Sequence, residues 1–339
     1  MVKLALIGAG KMGLSHFAIS SAHPDVEIVG VCDNATYLTS VISKHLGFST
    51  YSDYKKMFKE ARPDAVIIST PNSTHFDLAK FALEQGAHVF LEKPLCLDPA
   101  QGRTLFEIAS AKNLVNQVGY HNRFIGTFQE MKRLIAAGAI GEVYHLEGKA
   151  YGQVVIRPSK SASTWRSKKS EGGGCLHDYA CHVVDLMNYI GETPSKVRSA
   201  QLQSIFSADI EDAVFANFEY ASGATGYLEA NWSDQSVRKM STTITAYGKQ
   251  GKIITDRQEM RVYLTPGTTF EDYEDGWKSK YITELQAPVN FYMRGEEYSA
   301  QIDQFIDNIL GRDVKVESTF QTATATDEVI EQIANLGKG

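Results

Sequence analysis

Apolar positions fall in two different patterns along this chain. Over the first 120 residues they come in short, nearly continuous runs: KLALIGAG (3–10), VEIVGVCD (26–33), DAVIIST (64–70), HVFLEKP (88–94) and LVNQVGY (114–120). A strand covered on both faces by helices reads this way, because neither face can carry polar side chains. Amphipathic stretches lie between the runs. HFDLAKFALEQG follows the cap candidates Ser73 and Thr74 and stops at Gly86. LDPAQGRTLFEIASAK offers Asp98 as N-cap and Pro99 at the first helical position. This alternation predicts a doubly wound α/β domain with a parallel sheet over residues 1–121. Further on, EVYHLEGKAYGQ (142–153), AVFANFEY (213–220), ATGYLEANW (224–232) and STTITAYG (241–248) alternate, or are rich in β-branched and aromatic residues. That pattern predicts a mainly antiparallel sheet with two unlike faces in an α+β domain over residues 122–339. A late helix over 297–311 would present Ile302, Phe305, Ile306 and Ile309 on one face.

Composition adds boundaries rather than chemistry. At 339 residues, 43% hydrophobic and 22% charged, the chain is long enough for about two domains with sizeable cores. The 34 basic and 40 acidic residues leave a net charge of −6, which argues against a nucleic-acid or anionic-membrane surface. No apolar run approaches the ~20 residues of a membrane span, and MVKLALIGAG is a poor signal peptide. Cys32, Cys96, Cys175 and Cys181 are sparse for the length and suit a reducing compartment. The expectation is a soluble, cytoplasmic, two-domain protein.

The chemistry starts at the first turn. Gly8-Ala9-Gly10-Lys11-Met12-Gly13 is a G-x-G-x-x-G element placed between an expected strand and an expected helix, the context that makes the pattern informative. Gly8 permits the tight turn, Gly10 lets the backbone approach a pyrophosphate, and Gly13 allows close helix–strand packing. Phosphates would sit at the helix N-terminus, where backbone N–H groups and the dipole favour anions. Asp33, at the end of the second run, could accept from both hydroxyls of an adenosine ribose. A carboxylate there repels a 2′-phosphate and Asn34-Ala35-Thr36 provides no arginine, so NAD is expected over NADP. Lys11 could assist either cofactor. Thr70, Asn72 and His75 in STPNSTH, and Glu92 and Lys93 in EKP, end two further strands at the edge where such sheets bind ligands.

The second cluster lies in EGGGCLHDYACHVVDLMNYI (171–190). On a helix Asp178 and His182 share a face and Asp185 extends the stripe, while Leu176, Val183, Met187 and Ile190 can anchor the segment. Hydride transfer from a secondary alcohol needs a group for the hydroxyl proton and a cation for the developing alkoxide; histidine and lysine suit these tasks. A plain polar contact is the bland alternative for the pair. A metal site is not expected, because Cys175, His177, Cys181 and His182 match no zinc spacing.

GAGKMG, STPNSTHF, EKPL, VGYHNRF, GAIGEV and GGGCLHDYACHVVDL occur in an order that resembles the glucose–fructose oxidoreductase and inositol dehydrogenase family (Gfo/Idh/MocA) over roughly residues 1–195. The resemblance implies an N-terminal Rossmann domain and a C-terminal domain with a large open sheet, commonly used for oligomer contacts, so a homo-oligomer is expected. It also implies a catalytic group of Lys93, Asp178 and His182. His182 would be the acid/base, Lys93 would bind the reacting oxygen, and Asp178 would orient the substrate or tune the lysine. The family usually reads D-x-G-x-H, whereas this chain reads Asp178-Tyr179-Ala180-Cys181-His182. Ala180 suits a helix better than glycine, and bulky Tyr179 alters the expected pocket wall.

Further substrate contacts are expected from Tyr120, Asn122 and Arg123, and from RPSKSASTWRSKKSEGG (157–173), which holds Arg157, Lys160, Arg166, Lys168 and Lys169 around Trp165. Such a loop could meet a phosphate or carboxylate group, or be a solvated surface. The expected substrate is a sugar, cyclitol or nucleotide sugar oxidised at a ring secondary alcohol. Alternatives are a hydrolase or isomerase using tightly held NAD transiently, and a non-catalytic nucleotide-binding protein.

Overall fold

Six parallel strands build the first sheet: β1 (Val2–Ile7), β2 (Val26–Cys32), β3 (Thr50–Tyr51), β4 (Ala65–Ile68), β5 (His88–Leu91) and β6 (Asn116–Val118). In this computed structural model, which describes residues 1–154, 165–207, 209–312 and 316–337, their order is β3-β2-β1-β4-β5-β6. The order reverses between β1 and β4, the switch point of a doubly wound sheet, where a crevice opens at the strands' C-terminal ends. Helices α1 (Lys11–Ala22), α2 (Thr36–Val41), α3 (Tyr54–Ala61), α4 (His75–Glu84) and α5 (Pro99–Ala111) supply the connections. The run of four fully buried residues in β4 shows why its sequence is continuously apolar.

Local signals at the helix ends hold to different degrees. Asp98 caps α5 by accepting from Ala100 N at 2.8 Å, with Pro99 in the first turn. Thr74 is the N-cap residue of α4, yet neither it nor Ser73 caps with its side chain. The Thr74 hydroxyl instead donates back to Pro71 O and Thr70 Oγ1, because residues 72–74 form a preceding 3₁₀ turn that already orders the entry.

The second sheet has eight strands. After α6 (Gly126–Ala136) come β7 (Val143–Tyr151), α7 (Cys181–Ile190), β8 (Lys196–Gln203), β9 (Ala213–Glu219), β10 (Thr225–Asn231), β11 (Ser241–Gly248), β12 (Gly251–Thr255), β13 (Glu259–Leu264), β14 (Gly276–Tyr281) and the short α8 (Ile282–Leu285). Their order is β14-β13-β12-β11-β7-β10-β9-β8. All neighbours are antiparallel except β7 and β10. The chain ends with α9 (Glu296–Ile309) and α10 (Phe320–Leu336).

Met1–His121 with Pro288–Thr324 form one compact unit, and Asn122–Ala287 with Ala325–Gly339 form the other. The return of the chain to the first unit has a direct cause. Ile302, Phe305 and Ile306 of α9 join Leu4, Leu6, Val31, Ile67 and Phe90 in one buried cluster, so the apolar face of this late helix covers the first sheet. Among the described residues no helix is long and apolar enough to cross a membrane.

Candidate functional site

In the first unit the glycine turn is built against β4. Gly8 has φ +95°, donates to Cys32 O at 2.8 Å and accepts from Ser69 Oγ at 2.9 Å. A Cβ on Gly13 would fall 1.9 Å from Gly8 O, so only glycine lets α1 start this close to the strand end. At Gly10 the situation is the reverse: a Cβ would meet nothing within 4 Å, and no side chain caps the helix. The first turn of α1 therefore faces an open cradle of N–H groups. Asp33 reinforces the turn, accepting from Ala9 N at 2.5 Å and Ala35 N at 2.7 Å. Each carboxylate oxygen keeps a second lone pair for a ribose hydroxyl. Lys11 is exposed and Met12 half-buried beside them. These residues fit a dinucleotide: an uncapped helix start for the diphosphate and a held carboxylate for the ribose.

The two other strand ends are less alike than their sequences suggest. Thr70 is half-buried and Asn72 buried. His75 is fully buried, with Nδ1 2.8 Å from Pro94 O and Nε2 3.1 Å from Thr70 O, and burial pushes its pKa down. The ring lies between the Thr70 and Pro94 carbonyls, where the single N–H of its neutral form can donate to one of them, and it lines no open surface. Lys93, half-buried, precedes Pro94 through a cis peptide bond. Glu92, offered by the sequence as a cofactor contact, places Oε1 2.7 Å from Nε2 of the buried His16. Burial pushes the Glu92 carboxyl up, but the His16 hydrogen bond and the charges of His16, Lys93 and His121 outweigh it and hold the group below its ordinary value.

In the second unit, Asp178 lies in a π-helical turn (Leu176–Ala180) that runs straight into α7, which begins at Cys181 and carries His182. Such widened turns recur at functional sites. Both side chains are buried. Two glycines of the sheet let this segment sit down on it: a Cβ on Gly148 would lie 2.4 Å from Val183 Cγ1, and one on Gly152 2.3 Å from the Tyr179 hydroxyl. Tyr179 is thus inserted between Gly152 and an edge-to-face contact with Trp232, its ring centroid 6.2 Å away. Burial pushes the Tyr179 phenol above its ordinary range.

Asp178 accepts from Arg166 Nε at 2.9 Å, with the arginine side chain 43% exposed. Asp185, which the helical stripe groups with Asp178 and His182, is taken instead by Arg123. Nε and Nη2 of Arg123 meet the two Asp185 oxygens at 2.7 and 2.5 Å, and Thr326 Oγ1 adds a third contact at 3.3 Å. With a side chain only 3% exposed, Arg123 is committed to holding α7 rather than presented to a substrate. Tyr120 and Asn122 are likewise buried. Arg157, Lys160 and the Trp165 side chain lie outside the described residues.

Sequence reasoning missed three residues. His16 follows Gly13 by three positions with no local sign of its carboxylate partner. Arg166 appeared only as one cation of a loop. Glu211 was missed entirely; it accepts from Leu176 N at 2.9 Å and so caps the segment bearing Asp178.

Residues 2–120 match the model of an oxidoreductase family with an NAD-binding Rossmann fold (GFO_IDH_MocA), and residues 128–254 match the GFO/IDH/MocA C-terminal domain. The chain belongs to the Gfo/Idh/MocA family. Its first domain is therefore an NAD-binding Rossmann domain. Similar curated proteins include D-glucoside 3-dehydrogenase of Escherichia coli (strain K12), 27% identical over 71% of this chain and 74% of that protein. Another is scyllo-inositol 2-dehydrogenase (NAD(+)) of Bacillus subtilis (strain 168), 26% identical over 84% of each chain. A solved levoglucosan dehydrogenase in complex with NADH shares the fold at a TM-score of 0.87, with 24% identity over 99% of this chain and 97% of that one.

Proposed function

We propose that this protein is an NAD-dependent dehydrogenase, or ketoreductase in reverse, acting on a ring secondary alcohol of a sugar, cyclitol or nucleotide sugar. Bound NAD supplies the hydride acceptor. Lys93 holds the reacting oxygen through its ammonium group. His182 takes the hydroxyl proton on a ring nitrogen as the C–H bond gives up its hydride, so the alcohol leaves as a ketone with protons and electrons balanced. Asp178 orients the substrate or tunes Lys93, and its ion pair with Arg166 favours the carboxylate form. The observation that carries this reading is the match of both domains to the family, with Lys93 in EKP and Asp178 and His182 four residues apart supporting the catalytic assignment that the resemblance implies.

The test is nicotinamide absorbance with NAD and a panel of inositols, free sugars, glycosides and nucleotide sugars, beside Lys93→Met and His182→Ala proteins. Steady NADH formation that falls about 100-fold or more in both variants supports the assignment. Bound NAD with no net reduction on any substrate would favour transient redox or a binding role. A nucleotide sugar is the sharper reading of the basic 157–173 stretch of sequence; unchanged Michaelis constants in Arg157→Ala and Lys160→Ala proteins would remove its support. Asp33 is the basis for discrimination against NADP, so Asp33→Ala is expected to narrow the NAD/NADP affinity ratio by about tenfold.

The same reading includes a cytoplasmic homo-oligomer joined through the eight-stranded sheet, on which Tyr144, Trp277 and Tyr281 are exposed. Sedimentation velocity of the wild type and of Trp277→Glu checks the assembly.

A further inference from the structure

The return of the chain to the first unit brings one arginine to the start of α1. Arg294 lies two residues before α9 and is exposed, and its Nη1 donates to Ser15 Oγ at 3.3 Å. Ser15 is buried and its own hydroxyl donates to Lys11 O at 3.0 Å. The oxygen that receives the guanidinium is therefore tied to the first residue of α1. Lys11 and Ser15 are four residues apart, so they share a face of the helix. Arg294 stands beside the uncapped first turn, on the face that also carries the exposed Lys11.

Two features show that this arginine is held in place rather than left to solvent. Its backbone has φ +66°, the left-handed region that residues with a Cβ seldom adopt and that carries strain. Its guanidinium lies over the Tyr298 ring, 5.3 Å from the centroid, and the same ring stacks on His121 at 4.7 Å. Among the described residues no carboxylate pairs with Arg294; its partners are a neutral hydroxyl and an aromatic ring. A guanidinium fixed next to an open helix start, with neutral partners only, keeps its forked donors and its charge for an anion.

We propose that Arg294 binds the NAD diphosphate, adding a fixed positive charge to the N–H groups of the first turn of α1. The residue lies outside both regions that match the family models, residues 2–120 and 128–254, and belongs to no part of the glycine motif. Its charge answers a need that the motif leaves open. A diphosphate carries two negative charges, the helix start offers only partial positive ones, and Asp33 is itself an anion. Lys11 supplies a full charge, but on a flexible, exposed stem. Arg294 supplies one whose position the Ser15 hydroxyl and the Tyr298 ring already define.

The test is binding alone, because the inference rests on the NAD-binding first domain and not on the substrate. Fluorescence titration of the full-length protein with NADH gives Kd, and competition by ADP-ribose and by adenosine separates the diphosphate from the rest of the nucleotide. Arg294→Gly is the deciding variant, since glycine adopts the left-handed backbone freely and only the guanidinium is lost. NADH and ADP-ribose are expected to bind it about tenfold more weakly than the parent, with adenosine competing as before. Arg294→Ala should weaken the same two ligands to the same degree, and it decides if Arg294→Gly does not fold. Parent affinity for NADH and ADP-ribose in the variant overturns the proposal, as does an equal loss for adenosine, which would assign the residue to the fold. A parent protein that fails to bind NADH would sink the cofactor assignment and this inference together, whereas a binding parent with unaffected variants sinks the inference alone.

Discussion

Two helices in this molecule begin after a cluster of glycines and carry a buried histidine, and they use the same local device to opposite ends. In α1 the helix start is uncapped, and Gly10 looks into open space. In the segment Leu176–Ile190 the start is filled by the protein's own anion: Glu211 accepts from Leu176 N at 2.9 Å, and a Cβ on Gly174 would fall 2.1 Å from its Oε1. A helix N-terminus attracts negative charge wherever it occurs. Whether that attraction serves a ligand or the fold depends on whether a side-chain carboxylate has already taken the place. The open one keeps its N–H groups free of side-chain caps, as a ligand site requires; the closed one is capped by Glu211 and bears Asp178 and His182.

The comparison can be broken by substitution. Gly13→Ala should have the largest effect, because its Cβ would meet the Gly8 carbonyl and Ser69 Oγ, at 1.9 and 2.7 Å. A loss of about 3 kcal/mol in urea unfolding, with NAD binding abolished, is expected. Gly174→Ala combines a φ of +109° with the Glu211 clash and should cost about 2 kcal/mol while NAD affinity stays at the parent value. Glu211→Ala removes the cap alone, about 1 kcal/mol by the same measurement.

Glu211→Gln sharpens the contrast through pH. Burial pushes the Glu211 carboxyl above its ordinary value, so the folded protein keeps that proton to higher pH than the unfolded chain. Stability from the neutral group is complete below the unfolded value, about pH 4.3, and fades as pH rises through the folded one. The amide, which still accepts from Leu176, should flatten that decline. Glu92 has the opposite sign: its lowered value contributes stability above the unfolded value, lost as pH falls through the folded one. Gly10→Ala should move stability least, under about 0.5 kcal/mol, yet weaken NAD binding measurably by fluorescence titration, because the added methyl enters the cradle. Unchanged NAD affinity there would remove the distinction between the two helix starts.

Much of the first unit was readable in the sequence because its signals are local. Continuous apolar runs, Asp98-Pro99 at the start of α5 and glycines at fixed spacing each act within a few residues of themselves. β3, the edge strands β8 and β14, and the short β12 and β13 escaped; β3, with two residues, is too brief to show any period. Arg123 was read as a substrate contact for a related reason: a conspicuous arginine next to a strand end looks the same whether or not a carboxylate 62 positions away neutralises it.

The sequence by itself determined the kind of each domain and the glycine turn with Asp33, and it is the source of the proposal for Lys93, Asp178 and His182. Only the tertiary structure decided which ionisable groups are spent on the fold. Asp185 goes to Arg123, Glu211 to a helix start, His75 to the backbone between Thr70 and Pro94, and Glu92 to His16. Helix periodicity and motif spacing are short-range properties of the chain. The pairing of a buried charge is a long-range one, set by whichever partner the packed core brings within hydrogen-bond distance.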